Sequence, residues 1–345
     1  MALRFDPDMF APNCVLDSAL LRANAAFWHE QSGGRLRAVI KADGYGWGAQ
    51  RLVLCLEDVV EGFCVLDLRE CELVRLLTAK PIFVLGHCTE TDILRLLALD
   101  AVPNLTTVAQ LELAITYAQT TQRRVRVRAG CVSTLGWHGL SREDVSLFAQ
   151  RAAAEPLLDL ELWTQISLSE SERGLAAFDE FIAVFRAHAA NIVSVDWAHS
   201  AAAAARLHFA PGPVRIGIGL FGAYSHSFAA LRCALRLEAA VIARQAASAD
   251  LVAGVGARSL PPGRYVETLR VGYADGFPRS LAGVAIDLGV GHARIASVGM
   301  QQTIITHDLP PADARVLLHP ATDLVAFSHD SVATPHEVVV GLARR

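Results

Sequence analysis

The sequence predicts an α/β barrel followed by a second, mostly β domain. Up to about residue 214, short apolar runs alternate with segments of helical periodicity at a spacing of about 20 to 35 residues. After Ala230 the helical periodicity almost disappears, and short segments rich in valine, isoleucine and glycine replace it. Because about eight parallel βαβ units close into a barrel, we predict a (β/α)8 barrel domain over residues 1–230 and a β domain over residues 231–345.

The elements of the barrel follow in chain order. Apolar runs predict strands at residues 14–17, 37–41, 62–66, 81–86, 101–105, 125–128, 158–166 and 192–196. Apolar residues three and four positions apart predict helices at residues 18–30, 50–60, 68–77, 91–97, 108–119, 145–154 and 174–189. In the second domain, glycines and the pair Pro261-Pro262 separate the short segments, which is typical of β structure.

Composition limits the possible partners. Of the 345 residues, 52% are hydrophobic and 19% are charged, and the formal net charge is −4, so no basic surface is available for nucleic acid. No run reaches the roughly 18 apolar residues of a membrane span, and the first residues lack the apolar core of a signal peptide. Seven cysteines form no CxxC pair, which is typical of reduced thiols in a cytoplasmic protein. The pair His87-Cys88 lacks further ligands nearby, so we expect no metal site.

One stretch carries the strongest chemical indication. An apolar run over residues 37–40 ends at Lys41, and glycines follow at positions 44, 46 and 48. Lys41 is therefore expected at the carboxyl end of a barrel strand, where active sites are built. A partly desolvated ammonium at that point loses its proton more easily and can form a Schiff base. The alternative from this stretch alone is a lysine that closes the strand and reaches solvent.

Two segments resemble the signatures of the alanine racemase family. Residues 39–48, Val-Ile-Lys-Ala-Asp-Gly-Tyr-Gly-Trp-Gly, are similar to the segment whose lysine holds pyridoxal 5′-phosphate, with Trp47 where the family usually has histidine. Residues 271–279, Val-Gly-Tyr-Ala-Asp-Gly-Phe-Pro-Arg, are similar to the segment whose tyrosine is the opposing base. The resemblance implies that Lys41 and Tyr273 are the two catalytic bases, acting on a small amino acid. It also implies a homodimer in which each tyrosine serves the partner's site.

The same resemblance implies a set of cofactor contacts. Residues 198–201, Ala-His-Ser-Ala, are similar to the family's Ala-Asn-Ser-Ala, with a histidine in place of the asparagine. The terminal tyrosine of the family corresponds to a histidine at position 336. The cofactor-binding residues so implied, beside Lys41, are Tyr45, His199, Ser200, Arg215, Gly217, Ile218 and His336.

Arg215 falls where the family's arginine meets the nitrogen of the cofactor ring. A cation there disfavours protonation of the ring and limits how far the ring withdraws electrons, which favours return of a proton to carbon over transamination. Residues 217–222 also form a GxGxxG pattern, with Glu238 at a distance that suits ribose binding. A dinucleotide site is the alternative. However, that pattern normally opens a βαβ unit, whereas here it closes the α/β region.

The chain departs from the family at a position that binds substrate. Residues 127–136 align with the family's Lys-Val-Asp-Thr-Gly-Met-x-Arg-Leu-Gly, and Thr134 stands where the resemblance implies an arginine on the substrate carboxylate. A hydroxyl replaces neither the charge nor the two-pronged geometry of a guanidinium. Arg126 or Arg128 could compensate if the strand register shifts, and on a strand both would face inward together.

Other positions near the implied substrate also differ. The family's Thr-His is Thr164-Gln165, and its Met-Asp is Met300-Gln301, so the backbone amide of Met300 could still meet the substrate. We therefore predict a pyridoxal-phosphate-dependent racemase or epimerase that acts on an amino acid other than alanine. A decarboxylase or lyase on the same fold, or a cofactor-binding protein with little catalysis, are the alternatives.

Overall fold

The computed structural model describes residues 11–132, 136, 138–166, 168–205, 212–248, 252–253, 258–259 and 263–343. The helices are α1 Ser18–Gln31, α2 Lys41–Tyr45, α3 Ala49–Leu56, α4 Leu68–Arg75, α5 Glu90–Ala98, α6 Val108–Thr121, α7 Val145–Ala153, α8 Ser171–Ala187, α9 Ser200–Ala204, α10 Leu324–Asp330 and α11 Pro335–Leu342. The strands are β1 Asn13–Leu16, β2 Leu36–Val39, β3 Gly62–Val65, β4 Ile82–Val84, β5 Asn104–Leu105, β6 Val125–Gly130, β7 Leu158–Trp163, β8 Ile192–Asp196, β9 Val214–Ile216, β10 Leu235–Ala246, β11 Val252–Ala253, β12 Arg258–Ser259, β13 Tyr265–Leu269, β14 Ala285–Asp287, β15 His292–Val298, β16 Thr303–His307 and β17 Ala314–Leu318. Single turns of 3-10 helix lie at Leu168–Glu170, Ile218–Phe221, Tyr273–Asp275 and Arg279–Leu281.

The chain forms two compact units. The first, here called the barrel unit, comprises Ala25–Gly44 and Gly48–Gly217, and the second, the β unit, comprises Met1–Asn24, Tyr45–Trp47 and Ile218–Arg345. The predicted domain boundary after residue 230 remains a prediction.

The barrel unit contains parallel strands in the orders β4-β3-β2-β9 and β5-β6-β7-β8. Two parallel bridges join these sheets, one between Phe83 and Val102 and the other between His199 and Arg215. Within the described residues the strands therefore close a ring of eight, and the predicted (β/α)8 barrel is confirmed. The strands β2, β3 and β4 are buried along their whole length, as expected where helices cover a parallel barrel.

The β unit contains an antiparallel sheet in the order β1-β10-β13-β16-β15-β14, with β17 paired to β10. The N-terminal strand β1 pairs with β10, Asn13 opposite Glu238, so it belongs to this sheet. The prediction that the strand at residues 14–17 belongs to the barrel is therefore wrong, although it precedes a helix in the same alternating pattern as the barrel strands. Glu267 is fully buried in the sheet and accepts two hydrogen bonds of 2.7 Å from Arg315. Among the described residues, none of the helices is both long and apolar enough to span a bilayer.

Candidate active site

Lys41 lies at the carboxyl end of a barrel strand, as predicted. The strand β2 ends at Val39, two residues earlier than expected, and Lys41 is the first residue of α2. Ala42, Asp43 and Gly44 then have φ of 54°, 52° and 62°, so the chain turns in the left-handed region immediately after Lys41. Two of these three residues are not glycine, and each costs free energy in this conformation. The surrounding contacts must therefore hold the turn.

The environment of Lys41 favours its neutral amine. Burial is the largest influence and lowers the pKa of the ammonium from its ordinary value of 10.5, and the nearby charge of Arg215 lowers it further. The carboxylate of Glu70 acts in the opposite direction without cancelling the other two effects. A lysine with a lowered pKa is suited to attack an aldehyde and to accept a proton from carbon.

Arg215 is held firmly inside the barrel. Only 2% of it is exposed, its Nε donates a hydrogen bond of 2.7 Å to Asp196 Oδ1, and its Nη2 donates one of 2.6 Å to the carbonyl of Thr164. The guanidinium also lies over the ring of Trp163, with its central carbon 5.0 Å from the ring centroid. Asp196 therefore places a full negative charge against the arginine that was predicted to face the cofactor ring.

Asp196 belongs to a buried ionic network across the barrel. Its Oδ2 accepts a hydrogen bond of 2.9 Å from Arg128 Nη2, and Glu161 binds both terminal nitrogens of Arg37 at 2.8 and 3.0 Å. These four side chains are 0% exposed. Glu61, at the edge of the network, lies 3.3 Å from Arg37. The sequence analysis missed Arg37, Glu161 and Asp196 as members of the site, although charged residues inside apolar strand runs were a visible signal.

Whether Arg126 or Arg128 replaces the arginine absent at position 134 remains a prediction. Side chains two residues apart on a strand lie on the same face, so Arg128 faces the barrel interior together with Arg126. Arg126 lies 3.7 Å from Glu161. However, the guanidinium of Arg128 is bound to Asp196 and lies over Trp163 at 4.5 Å, with no exposed surface. Thr134 itself lies outside the described residues.

Ser200 and Gly217 converge within the barrel unit. The backbone N–H of Gly217 donates a hydrogen bond of 3.1 Å to Ser200 Oγ, and both residues are buried. The Ser200 hydroxyl can donate to a phosphate, whereas the Gly217 amide could do so only by giving up its bond to Ser200 Oγ.

His199 differs from these two residues. Its Nδ1 accepts the N–H of Ala201 at 3.3 Å, so its Nε2 carries the proton and donates to the carbonyl of Ile166 at 2.9 Å. Both ring nitrogens therefore have protein partners, and burial lowers the pKa of the imidazole. The prediction that His199 contacts the cofactor remains a prediction.

In the β unit, the structure brings Tyr45 and His336 together. Their ring centroids are 5.9 Å apart, and the ring of Tyr45 also lies 5.5 Å from that of Phe221. Ile218 is buried in the 3-10 turn Ile218–Phe221. This turn leads into β10 rather than into an α-helix, so the GxGxxG pattern lacks the helix that a dinucleotide site requires. Trp47, at the family's histidine position, donates its indole N–H to Val339 O at 3.1 Å.

Tyr273 projects from a tight turn between the small residues Gly272 and Ala274. It begins a 3-10 turn and is 44% exposed, and its N–H donates to Gly299 O at 3.0 Å. A Cβ on Gly272 would lie 2.3 Å from that same carbonyl oxygen, so only glycine fits there. Asp275 fixes the turn because its Oδ2 accepts the N–H of Gly272 at 2.8 Å. Ala274 donates to Met300 O at 2.9 Å, which ties the turn to the β15–β16 connection.

Tyr273 and Met300 line one pocket of about 620 Å³ in the β unit. Arg279 lines it as well, with its guanidinium carbon 5.9 Å from the centroid of the Tyr273 ring. The two residues predicted to meet the substrate from this unit are therefore neighbours. Among the residues that the structure describes, no group of three or more histidine, cysteine or acidic side chains could hold a metal ion.

A family model described as the alanine racemase N-terminal domain matches residues 16–225, which is more than half of the chain. The chain belongs to the alanine racemase family. An alanine racemase of Limosilactobacillus fermentum is 25% identical over 96% of this chain and 95% of its own length. A catabolic alanine racemase of Pseudomonas putida is 29% identical over 77% of this chain and 76% of its own.

Solved structures of alanine racemases share the fold. The biosynthetic enzyme of Pseudomonas aeruginosa has a TM-score of 0.82 at 22% identity, covering 97% of both chains. The enzyme of Bartonella henselae, whose crystal structure contains covalently bound pyridoxal phosphate, has a TM-score of 0.79 at 20% identity over 96% of this chain and 97% of its own. The fold of an α/β barrel with a C-terminal β domain is thus that of the family, whose members depend on pyridoxal 5′-phosphate.

Proposed function

We propose that the chain is a pyridoxal-phosphate-dependent amino acid racemase that uses Lys41 and Tyr273 as its two bases. The observation that carries this proposal is the position of Lys41 at the end of β2, with a lowered pKa and with Arg215 near enough to influence it. Membership of the alanine racemase family supports the reaction class.

The residues of the barrel unit fit the cofactor. Lys41 offers the amine for the aldehyde, and Ser200 Oγ with the Gly217 amide offers donors for the phosphate. Arg215 offers a fixed cation for the ring nitrogen. We propose Tyr45, Ile218 and His336 as further contacts from the β unit. When bound, the cofactor supplies an electron-withdrawing ring that acidifies the hydrogen on the substrate's Cα.

Lys41 and Tyr273 then move the proton. The Lys41 amine, whose pKa burial lowers, takes or returns the proton on one face of Cα, and the Tyr273 hydroxyl does so on the other. The fixed positive charge of Arg215 would disfavour a proton on the ring nitrogen. With the cofactor bound, this would favour return of the proton to carbon over transamination. We propose that Tyr273 comes from a second subunit, and that the protein is a homodimer with shared sites.

We propose further that the substrate is not plain alanine, although the named relatives are alanine racemases. The support is the threonine at position 134, together with the burial of Arg128, one of the two candidates to replace the lost arginine. The same observation favours a second candidate, a decarboxylase or lyase, because a carboxylate that is not held by an arginine fork can be the group that leaves.

A panel of L- and D-amino acids in deuterium oxide tests these proposals. The chain is loaded with pyridoxal phosphate, and each reaction is followed by chiral chromatography, mass spectrometry and CO2 release. Racemisation produces the opposite enantiomer with deuterium at Cα and no CO2, whereas decarboxylation releases CO2. If the loaded chain does neither with any amino acid, the proposal of a catalyst is wrong. Lys41→Ala is the control for background exchange by the cofactor alone.

A further inference from the structure

The side chain of Glu70 connects the ends of two neighbouring barrel strands. Its Oε1 accepts the backbone N–H of Ala42 at 2.6 Å, and its Oε2 accepts the backbone N–H of Leu66 at 2.7 Å. Ala42 directly follows Lys41, and Leu66 directly follows β3. One carboxylate therefore holds the chain immediately after the lysine to the end of the adjacent strand, through two charge-assisted hydrogen bonds.

The turn after Lys41 has an unusual backbone conformation. Residues 42–44 have positive φ, so the turn is left-handed and does not continue a right-handed helix. At its far end, Asp43 Oδ1 accepts the N–H of Ala49 at 2.7 Å. Glu70 therefore fixes the beginning of the turn and Asp43 fixes its connection to α3.

Glu70 is itself fixed on α4. Asp67 is the N-cap of this helix, and its Oδ1 accepts the N–H of Glu70 at 2.9 Å. A negative charge in the first turn of a helix is favoured by the helix dipole. The carboxylate of Glu70 is thus placed by a capped helix rather than by a flexible loop.

We propose that Glu70 is a positioning residue for Lys41: its carboxylate fixes the left-handed turn and so aims the lysine amine at the cofactor. Its importance for catalysis rests on the proposed function. The charge has a second effect, because it opposes the lowering of the Lys41 pKa by burial and by Arg215. Glu70 therefore limits how easily the amine loses its proton.

The variant Glu70→Gln tests both effects in the full chain without cofactor. A glutamine can accept only one of the two N–H groups and carries no charge. The matched control is Glu72→Gln, on the same helix, whose carboxylate binds the exposed Arg95 instead. Hydrogen exchange of residues 42 and 66 is measured by mass spectrometry of overlapping fragments or by NMR. Labelling of Lys41 by an amine-reactive reagent is measured across a pH series.

In Glu70→Gln we expect faster exchange at one or both amides and a lower pH midpoint for labelling, so that more Lys41 is labelled at a given pH near neutrality, because the carboxylate that favours the ammonium is gone. The control should match the wild type in both. If Glu70→Gln also matches the wild type in both, Glu70 does not position Lys41 and the inference is wrong.

The fraction of pyridoxal phosphate that borohydride fixes on Lys41 gives a separate readout in the loaded protein. We expect a smaller fixed fraction in Glu70→Gln than in Glu72→Gln. If even the wild type takes up no cofactor, the proposed function fails, while exchange and labelling still decide whether Glu70 holds the lysine.

Discussion

Replacing Asp196 by asparagine should destabilise the barrel much more than the loss of an ordinary ion pair. Asp196 is fully buried and lies 2.7 Å from Arg215, 2.9 Å from Arg128 and 3.5 Å from Arg37. Asparagine keeps an acceptor for Arg215 Nε, but its amide nitrogen would face the Arg128 donor and its charge is gone. Breaking a buried ion pair on one side costs about 3–5 kcal/mol, and with one acceptor retained we expect about 3 kcal/mol for Asp196→Asn.

The assay is urea unfolding of the protein without cofactor, with the free energy of unfolding extrapolated to water. The control is Asp100→Asn in the same unit, where the carboxylate is 80% exposed and lies 3.5 Å from the exposed Arg123. An exposed pair contributes about 0–1 kcal/mol, so the two variants should differ by about 2 kcal/mol or more. If the free energy of unfolding falls by less than about 1 kcal/mol in both variants, water reaches the ionic network. The argument that Asp196 fixes Arg215 would then be refuted.

Three further predictions concern the site and the β unit. In Tyr273→Phe, the rate of exchange of the Cα hydrogen should fall about 10²–10⁴-fold when one enantiomer is the substrate, and much less when the other is. Equal small losses of rate with both enantiomers would refute the two-base assignment. Lys41→Met should raise the free energy of unfolding near neutral pH. Because the pKa of Lys41 is lowered in the folded protein, the unfolded chain binds more protons than the folded one between that lowered pKa and pH 10.5. The gain in the free energy of unfolding should therefore shrink as the pH rises through this range. A gain that does not change with pH would contradict this reasoning. Glu267→Gln should destabilise the β unit in urea by roughly 3 kcal/mol because it breaks the buried pair with Arg315, whereas Glu238→Gln, at a more exposed pair, should cost less than about 1 kcal/mol.

Much of the barrel was predictable because its elements repeat one local pattern. The strands of a parallel barrel are apolar and its helices are amphipathic. Local sequence patterns therefore predict elements such as the strand at residues 62–65 and the helix at residues 108–121. The partner of β1 was not predictable in this way. Its pairing with β10 joins residues more than 200 positions apart, and no local periodicity reports such a contact.

The site was predictable where a single residue type is needed at a fixed point of the chain. Lys41 at a strand end and Gly272 under Tyr273 are examples, since the glycine has no room for a side chain. Glu70 and Asp196 were missed because their importance comes from what they meet in space. An acidic residue in the first turn of a helix, or one closing an apolar strand, is common in any α/β protein, and only the structure shows which amides and guanidinium groups it binds.

The positions that match the family pattern, and those that differ from it, give information on the substrate. Lys41, Ser200, Arg215 and Gly217, the residues proposed to hold the cofactor from the barrel unit, all match the family pattern. The structure places Lys41 and Gly217 shortly after strands, Ser200 at the start of α9 and Arg215 inside β9. The departures fall at Thr134 and at residues 165 and 301, where the substrate would be met, and also at positions 47, 199 and 336 around the implied cofactor. The four matching residues are those proposed to meet the aldehyde, the phosphate and the ring nitrogen. A change of amino acid would keep these contacts while it altered the substrate contacts, because cofactor binding is shared by many reactions while substrate contacts set specificity. We therefore expect the amino acid panel to find turnover, with a side chain or a carboxylate environment different from that of alanine.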